Sequence, residues 1–314
     1  MANQLIILAG PTASGKTSLA LKLAEIYPLE IISVDSALIY RDLDIGSAKP
    51  TSAELASVPH HLINIRSPLE NYSVAEFLTD CEIAINQILQ RGKLPLLVGG
   101  TMMYYNALLN GVSSLPAADP VLRQQLEQSF AKHGHDYMHQ WLAKLDPLSA
   151  ARIQANDTQR LERALEVCLV SGMALSALQA QNKCSSLLEP YATLPLAITP
   201  DNRGLLHERI NQRFNMMLKQ GIIDEVRQLR QKYPQLTATH NSMRAVGYRQ
   251  VWQYLDGEFN KDELCLRTQA ATRQLAKRQL TWLRSLQLES IDDSQLDLTA
   301  LMAQACQKVE KFIR

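Results

Sequence analysis

The segment Gly10-Pro11-Thr12-Ala13-Ser14-Gly15-Lys16-Thr17 constrains the fold more than any other stretch of this chain. It fits G-x-x-x-x-G-K-[ST] and stands between the apolar run Gln4–Ala9 and a helical pattern, Leu19, Leu21, Leu23, Ala24 and Ile26, that Pro28 stops. A buried strand feeding a glycine turn that opens a helix is the arrangement in which backbone N–H groups wrap an anion. Gly10 and Gly15 free the backbone for this, Lys16 brings a point charge, and Thr17 can hold a Mg²⁺ that bridges phosphate oxygens. Such loops also bind ATP and other nucleotides, so the motif alone does not say what becomes of the phosphates. Phosphoryl transfer, nucleotide-driven switching and departure of a whole diphosphate are all compatible with it.

The chain around the loop reads as α/β. Glu30–Val34 is a second strand ending at Asp35, Val74–Gln90 a helix, and Leu94–Val98 a strand running into Gly99-Gly100-Thr101. Strand, helix and strand in succession predict a parallel sheet flanked by helices, the P-loop NTPase-like core. From Pro116 the texture turns helical, punctuated by Pro120, Pro147 and Pro190, until Leu194–Ile198 resumes a strand pattern. This predicts a helical insertion domain at 116–190 within a core made of 1–115 and 191–314. Two stripes in the later helices, Ile210, Phe214, Met217, Leu218 and Leu264, Ala271, Leu275, Trp282, are predicted to face the core.

With 314 residues, 46% of them hydrophobic, the chain can bury one large core or two modest ones, which excludes a disordered or peptide-sized protein. Its net charge of +1 hides an uneven distribution: residues 203–284 carry 15 basic and 7 acidic side chains, and every other segment is acidic. The basic block suits a phosphate-bearing macromolecule, or equally a set of solvated helix faces. Cys81, Cys168, Cys184, Cys265 and Cys306 form no C-x-x-C pair and read as buried thiols in a reducing compartment. The opening residues lack a basic n-region and an apolar run long enough for a bilayer, so a cytoplasmic protein without membrane attachment is expected. A monomer is the expected state.

In a parallel sheet the carboxyl ends of neighbouring strands share one edge, which predicts Asp35 and Thr101 near the cradle. There Asp35 could hold Mg²⁺ through water, orient a nucleophile as base or acceptor, or cap the next helix.

The loop Gly10–Thr17, Ser33-Val34-Asp35-Ser36-Ala37-Leu38-Ile39-Tyr40, Asp44-Ile45-Gly46-Ser47-Ala48-Lys49-Pro50, Leu97-Val98-Gly99-Gly100-Thr101, Ala245-Val246-Gly247-Tyr248 and Arg273-Gln274-Leu275-Ala276-Lys277-Arg278-Gln279 follow one another over nearly the whole chain. Together they resemble the bacterial tRNA dimethylallyltransferase family, also called tRNA isopentenyltransferases. Ser47 stands where Thr is usual, and the C-terminal zinc finger of eukaryotic relatives has no counterpart in the cysteine pattern.

The resemblance implies transfer of a dimethylallyl group from dimethylallyl diphosphate to N6 of the adenosine just 3′ of the tRNA anticodon, with release of diphosphate. It implies that Gly10–Thr17 with Mg²⁺ holds the donor's diphosphate, that Lys16 neutralises the leaving group, and that Asp35 accepts the N6 proton. Thr101 and Arg123 match positions that contact the target nucleotide and the diphosphate region. Contacts to the tRNA anticodon stem-loop are implied for Asp35-Ser36-Ala37-Leu38, Gln159-Arg160-Leu161-Glu162-Arg163, His240-Asn241-Ser242-Met243-Arg244-Ala245 and Arg273-Gln274-Leu275-Ala276-Lys277-Arg278-Gln279-Leu280. The last two segments lie in the basic block, where five basic residues and no acidic one follow Leu264 as far as Arg284. A base stacked in an anticodon arm would have to flip out to reach a buried carboxylate. Two other readings fit the residues less fully: a P-loop kinase of a small metabolite or nucleoside, and a nucleotide-gated RNA-binding module.

His135-Asp136-x-x-His139 has the spacing of a zincin helix without its Glu, and Gly134 breaks the helix before it. His60-His61 reads as a loop pair, and Trp141, Trp252 and Trp282 as fillers of helix interfaces.

Overall fold

Alternation along the buried strands decides the layers of the molecule. In β1 (Gln4–Ala9), Leu5, Ile7 and Ala9 enter one apolar cluster and Ile6 and Leu8 another, because successive side chains leave a strand on opposite faces. The computed structural model describes residues 3–113, 115–181, 185–200, 202–291 and 297–314; Cys184 lies outside them. β1 is joined by β2 (Leu29–Val34), β3 (His60–His61), β4 (Leu94–Gly99), β5 (Ala192–Ile198) and β6 (Glu289–Ile291) in one sheet of order β3-β2-β4-β1-β5-β6. Every pairing in it is parallel. This is the P-loop NTPase-like core that the strand and helix pattern predicts.

Among the described residues the helices are α1 (Lys16–Ile26), α2 (Ser52–Ser57), α3 (Val74–Gln90), α4 (Met102–Asn110), α5 (Pro120–Leu145), α6 (Pro147–Ala150), α7 (Thr158–Ser171) and α8 (Leu175–Gln181). After β5 come α9 (Arg203–Gln220), α10 (Ile222–Lys232), α11 (Tyr248–Leu255), α12 (Lys261–Leu283) and α13 (Leu298–Ile313). None of them is long and apolar enough to cross a membrane. Met1–Leu109 with Leu187–Arg314 forms one compact unit and Asn110–Ser186 a second.

In the first unit, Phe77, Tyr104, Tyr105 and Leu108 of α3 and α4 cover one face of the sheet, and Leu19, Leu23, Leu301 and Val309 of α1 and α13 cover the other. With both faces buried, the strands read as continuous apolar runs. A third cluster joins the segment after β2 (Ile39, Tyr40, Leu43) to Phe214, Val226, Trp252 and Leu264 of the later helices.

His60 and His61 form a short strand on β2, which corrects their reading as a loop pair. The cause is Glu30, buried in β2, whose carboxylate needs partners. His61 Nε2 meets it at 2.8 Å, and Arg91 donates to it from Nε at 3.0 Å and Nη2 at 2.7 Å. Among the thiols, Cys81 and Cys168 are buried as expected, whereas Cys265 and Cys306 are half-buried.

The helical unit closes around Leu126, Met138, Leu142, Leu161 and Leu165. Gly134, at φ 78°, breaks α5 internally, as its sequence position predicts.

Candidate active site

Three loops leave the sheet side by side where parallel strands run out. Register pairs Gly99 of β4 with Ala9 of β1 and with Val34 of β2, so the phosphate loop, Asp35 and Gly100-Thr101 start from adjacent strand ends. Two glycines make this possible. Gly15, at φ 90°, is the N-cap of α1 and takes the left-handed backbone that turns the loop into the helix. Gly99 lies so close to β2 that a Cβ on it would overlap the Val34 carbonyl oxygen. Gly99→Ala is therefore expected to destabilise the protein by about 1–3 kcal/mol through overpacking, measurable as a lowered urea midpoint at unchanged m.

Asp35 is held and half-engaged. Its Oδ1 accepts from Ala37 N at 2.8 Å and Leu38 N at 3.3 Å, while no donor among the described residues meets Oδ2. The capping and functional readings of this residue thus coexist, one on each oxygen. Thr101 is tied to the same turn: its Oγ1 accepts from Ser36 N at 3.0 Å, and its N–H donates to Val34 O at 3.2 Å.

Asp35, Thr101, Lys16 and Thr17 line one cavity of about 520 Å³, within the range of about 300–1,000 Å³ usual for ligand sites. Lys16 Nζ donates to Pro11 O at 3.2 Å. Burial first, then the neighbouring Arg213 guanidinium, push its pKa down to about 8, against the opposing pull of Asp35. Arg213 of α9 is lowered by burial and raised by Asp35. Lys16, Thr17 and Arg213 also line a second cavity, of about 260 Å³, so the two hollows adjoin at these side chains. Two cations and a carboxylate lining the larger cavity can neutralise an anion and accept a proton within a single site.

The sequence reading missed Arg213. Its available signal was a cation set between Ile210 and Phe214 on a stripe that faces inward. Glu225 and the role of Tyr248 were missed as well. The Glu225 carboxylate accepts from Asp44 N at 3.0 Å, Ile45 N at 2.7 Å and Gly46 N at 3.2 Å. Tyr248 OH donates to Glu225 at 2.6 Å and accepts from Ser47 N at 3.2 Å. The motif Asp44–Pro50 is thereby fixed as a wall of the larger cavity, to which Gly46, Ser47 and Ala48 contribute.

Of the implied RNA contacts in the first unit, Ser36, Asn241, Arg244, Gln274, Lys277 and Arg278 are exposed. Ser242, Met243 and Ala276 are buried, at 0%, 0% and 1%, and their side chains anchor these segments in the core. In the helical unit the Leu161 side chain is buried, at 0%, while Gln159 and Arg160 are exposed. Arg123 there forks onto the buried Glu166, with Nε at 2.8 Å and Nη2 at 3.0 Å, and Arg163 meets the same carboxylate at 2.6 Å. Burial would raise the Glu166 pKa, but the hydrogen bonds from both arginines bring it below the usual carboxylate range.

Trp282 is 38% exposed and lines the larger cavity, which corrects its reading as an interface filler. The stripe of α12 faces the core at Leu264 but the cavity at Leu275 and Trp282. Trp252 is buried under the Arg230 guanidinium, 3.8 Å from the ring centre, and Trp141 is half-buried in the helical unit's core.

A phosphate loop at the carboxyl edge of a parallel sheet, with an acid at the next strand end, defines a P-loop protein. The chain belongs to the IPP transferase family, whose profile matches residues 38–286. It is 56% identical over 302 residues to a tRNA dimethylallyltransferase of Chromobacterium violaceum, covering 96% of this chain and 92% of that protein. A second tRNA dimethylallyltransferase, from Neisseria meningitidis, is 50% identical over 93% of each chain. Among solved structures, the tRNA isopentenylpyrophosphate transferase of Bacillus halodurans superposes with a TM-score of 0.69 at 35% identity, covering 99% of this chain and 98% of that one. A eukaryotic dimethylallyltransferase acting on tRNA gives a TM-score of 0.81 at 27% identity, covering 98% of this chain and 78% of that one. The family is the one that the collinear motifs resemble.

Proposed function

We propose that this chain transfers a dimethylallyl group from dimethylallyl diphosphate to N6 of the adenosine just 3′ of the anticodon of tRNA. The observation that carries the reading is Asp35 facing Lys16 and Arg213 in one cavity at the phosphate loop. The allylic C–O bond of the donor breaks as the C–N6 bond forms, the diphosphate leaves into the loop, and the N6 proton passes to Asp35. The exocyclic amine is a weak nucleophile because its lone pair is delocalised into the ring, so a positioned base matters. Lys16 and Arg213 act on the other side, where charge grows on the departing oxygen. In this reading Thr101, tied to the turn after Asp35, orients the adenine. Arg123 belongs to the helical unit, and its proposed contact with the diphosphate region rests on the motif resemblance alone.

The Thr17 hydroxyl is a hard donor of the kind that suits Mg²⁺, which leaves the second Asp35 oxygen to take the proton. Bound there, the ion would supply further neutralisation of the diphosphate. A monomer acting in the cytoplasm is part of the same proposal.

Incubation with Mg²⁺, labelled dimethylallyl diphosphate and unmodified tRNA tests the reading: label in the RNA is expected. Unlabelled RNA with transfer of the ATP γ-phosphate to a nucleoside would establish the kinase instead.

The Lys16 pKa gives a second expectation. The Lys16 contribution to affinity for inorganic pyrophosphate should fall as pH rises past about 8, where the ammonium loses its proton; calorimetry on either side of that pH, set against Lys16→Ala, is the check. Folding stability from this group runs the other way. Between about 8 and 10.5 the unfolded chain holds more of the proton, so stability rises with pH across that window.

A further inference from the structure

Helix α12 hydrogen-bonds the phosphate loop through a buried amide. Gln279 is 8% exposed; its Oε1 accepts from Thr12 N at 2.9 Å, and its Nε2 donates to Gly100 O at 2.8 Å. The packing is tight, since a Cβ on Gly100 would lie 2.6 Å from that Nε2 and 3.3 Å from Gly10 O. A backbone N–H on one side and a carbonyl on the other require one acceptor and one donor, which a primary amide presents and a carboxylate or hydrocarbon does not. Both inward atoms of the amide are engaged by protein, in contrast to its exposed neighbours Lys277 and Arg278.

We propose that Gln279 is a positioning residue of the diphosphate cradle and not an RNA contact. It clamps Thr12 to Gly100, which fixes the start of the loop against the strand end that carries Thr101. Its hold on the Thr12 N–H also directs bound phosphate to the later N–H groups of the loop. This inference rests on the reading of Gly10–Thr17 as a diphosphate site.

The test compares wild type, Gln279→Met and Gln279→Glu in two assays: calorimetry with inorganic pyrophosphate and Mg²⁺, and fluorescence anisotropy with an anticodon stem-loop RNA across a salt series. Gln279→Met keeps the volume and loses both bonds; it is expected to bind pyrophosphate about tenfold more weakly with RNA affinity and salt slope unchanged. Gln279→Glu keeps an acceptor for Thr12 but turns an anion toward Gly100 O and the cradle, so pyrophosphate binding should fall further. Being nearly isosteric, it decides the matter if the Met variant fails to fold. A merely structural role would lower thermal stability and both affinities together. Pyrophosphate binding retained in the folded variants, or RNA binding lost with pyrophosphate intact, overturns the clamp. Failure of the wild type to bind pyrophosphate would instead remove the cradle reading, and the clamp with it.

Discussion

Asp35→Asn is expected to lower turnover by about 10²–10⁴-fold, the usual contribution of a general base, with tRNA affinity changed by less than about twofold. The amide keeps an oxygen where Oδ1 accepts from Ala37 N and Leu38 N, so the turn after β2 survives the change. What it loses is the proton acceptor and the negative charge that faces Lys16 and Arg213. Donor binding should therefore hold or tighten slightly while the chemical step fails, a split that single-turnover kinetics at saturating RNA would expose. Asp35→Ala removes the cap as well, and should add about 1 kcal/mol of destabilisation to the same kinetic loss. If Asp35→Asn turned over at the wild-type rate, this residue would be left with its capping role alone.

The parts of the site that could be read in the sequence are those specified locally. The phosphate loop depends on glycines, a lysine and a strand-to-helix junction within a few residues of one another. Asp35 is marked by its place at the end of an apolar run, and parallel topology does the rest. Arg213, Glu225 and Gln279 are different, because their meaning comes from partners far away in the chain: Glu225 serves N–H groups about 180 residues earlier, and Gln279 meets Thr12 across 267 residues. Helical periodicity says which face of α12 is turned inward, but not that its final turns meet a cavity, which is why Trp282 reads as core. β3 was hidden for another reason: two histidines show no strand alternation, and the buried Glu30 that recruits them lies in another element. Short β6, with three residues, offers too little pattern to register at all.

The basic block makes the second large prediction, because structure divides its charges into spent and available. Arg227 pairs with Asp224, Arg230 with Asp256, Lys232 with Asp42 and Arg267 with Glu263, so these cations are partly neutralised within the fold. Lys277, Arg278 and Arg284 are exposed and have no ion pair among the described residues. Arg278 also lines the cavity that holds Asp35, where RNA would have to arrive. Replacing Lys277 and Arg278 together by Ala is expected to weaken stem-loop RNA binding by about 10–100-fold at low salt, the loss that follows when two phosphate contacts no longer release counterions. The slope of log affinity against log salt should fall by about 2, and pyrophosphate binding should stay as it was. Arg227→Ala supplies the contrast: it removes one charge from the same block, but a charge already met by Asp224 on an exposed helix turn, so the slope should barely move. Equal effects from the two substitutions would mean that net charge alone draws the RNA. An unchanged slope in the double variant would return the basic excess to ordinary solvated helix surface.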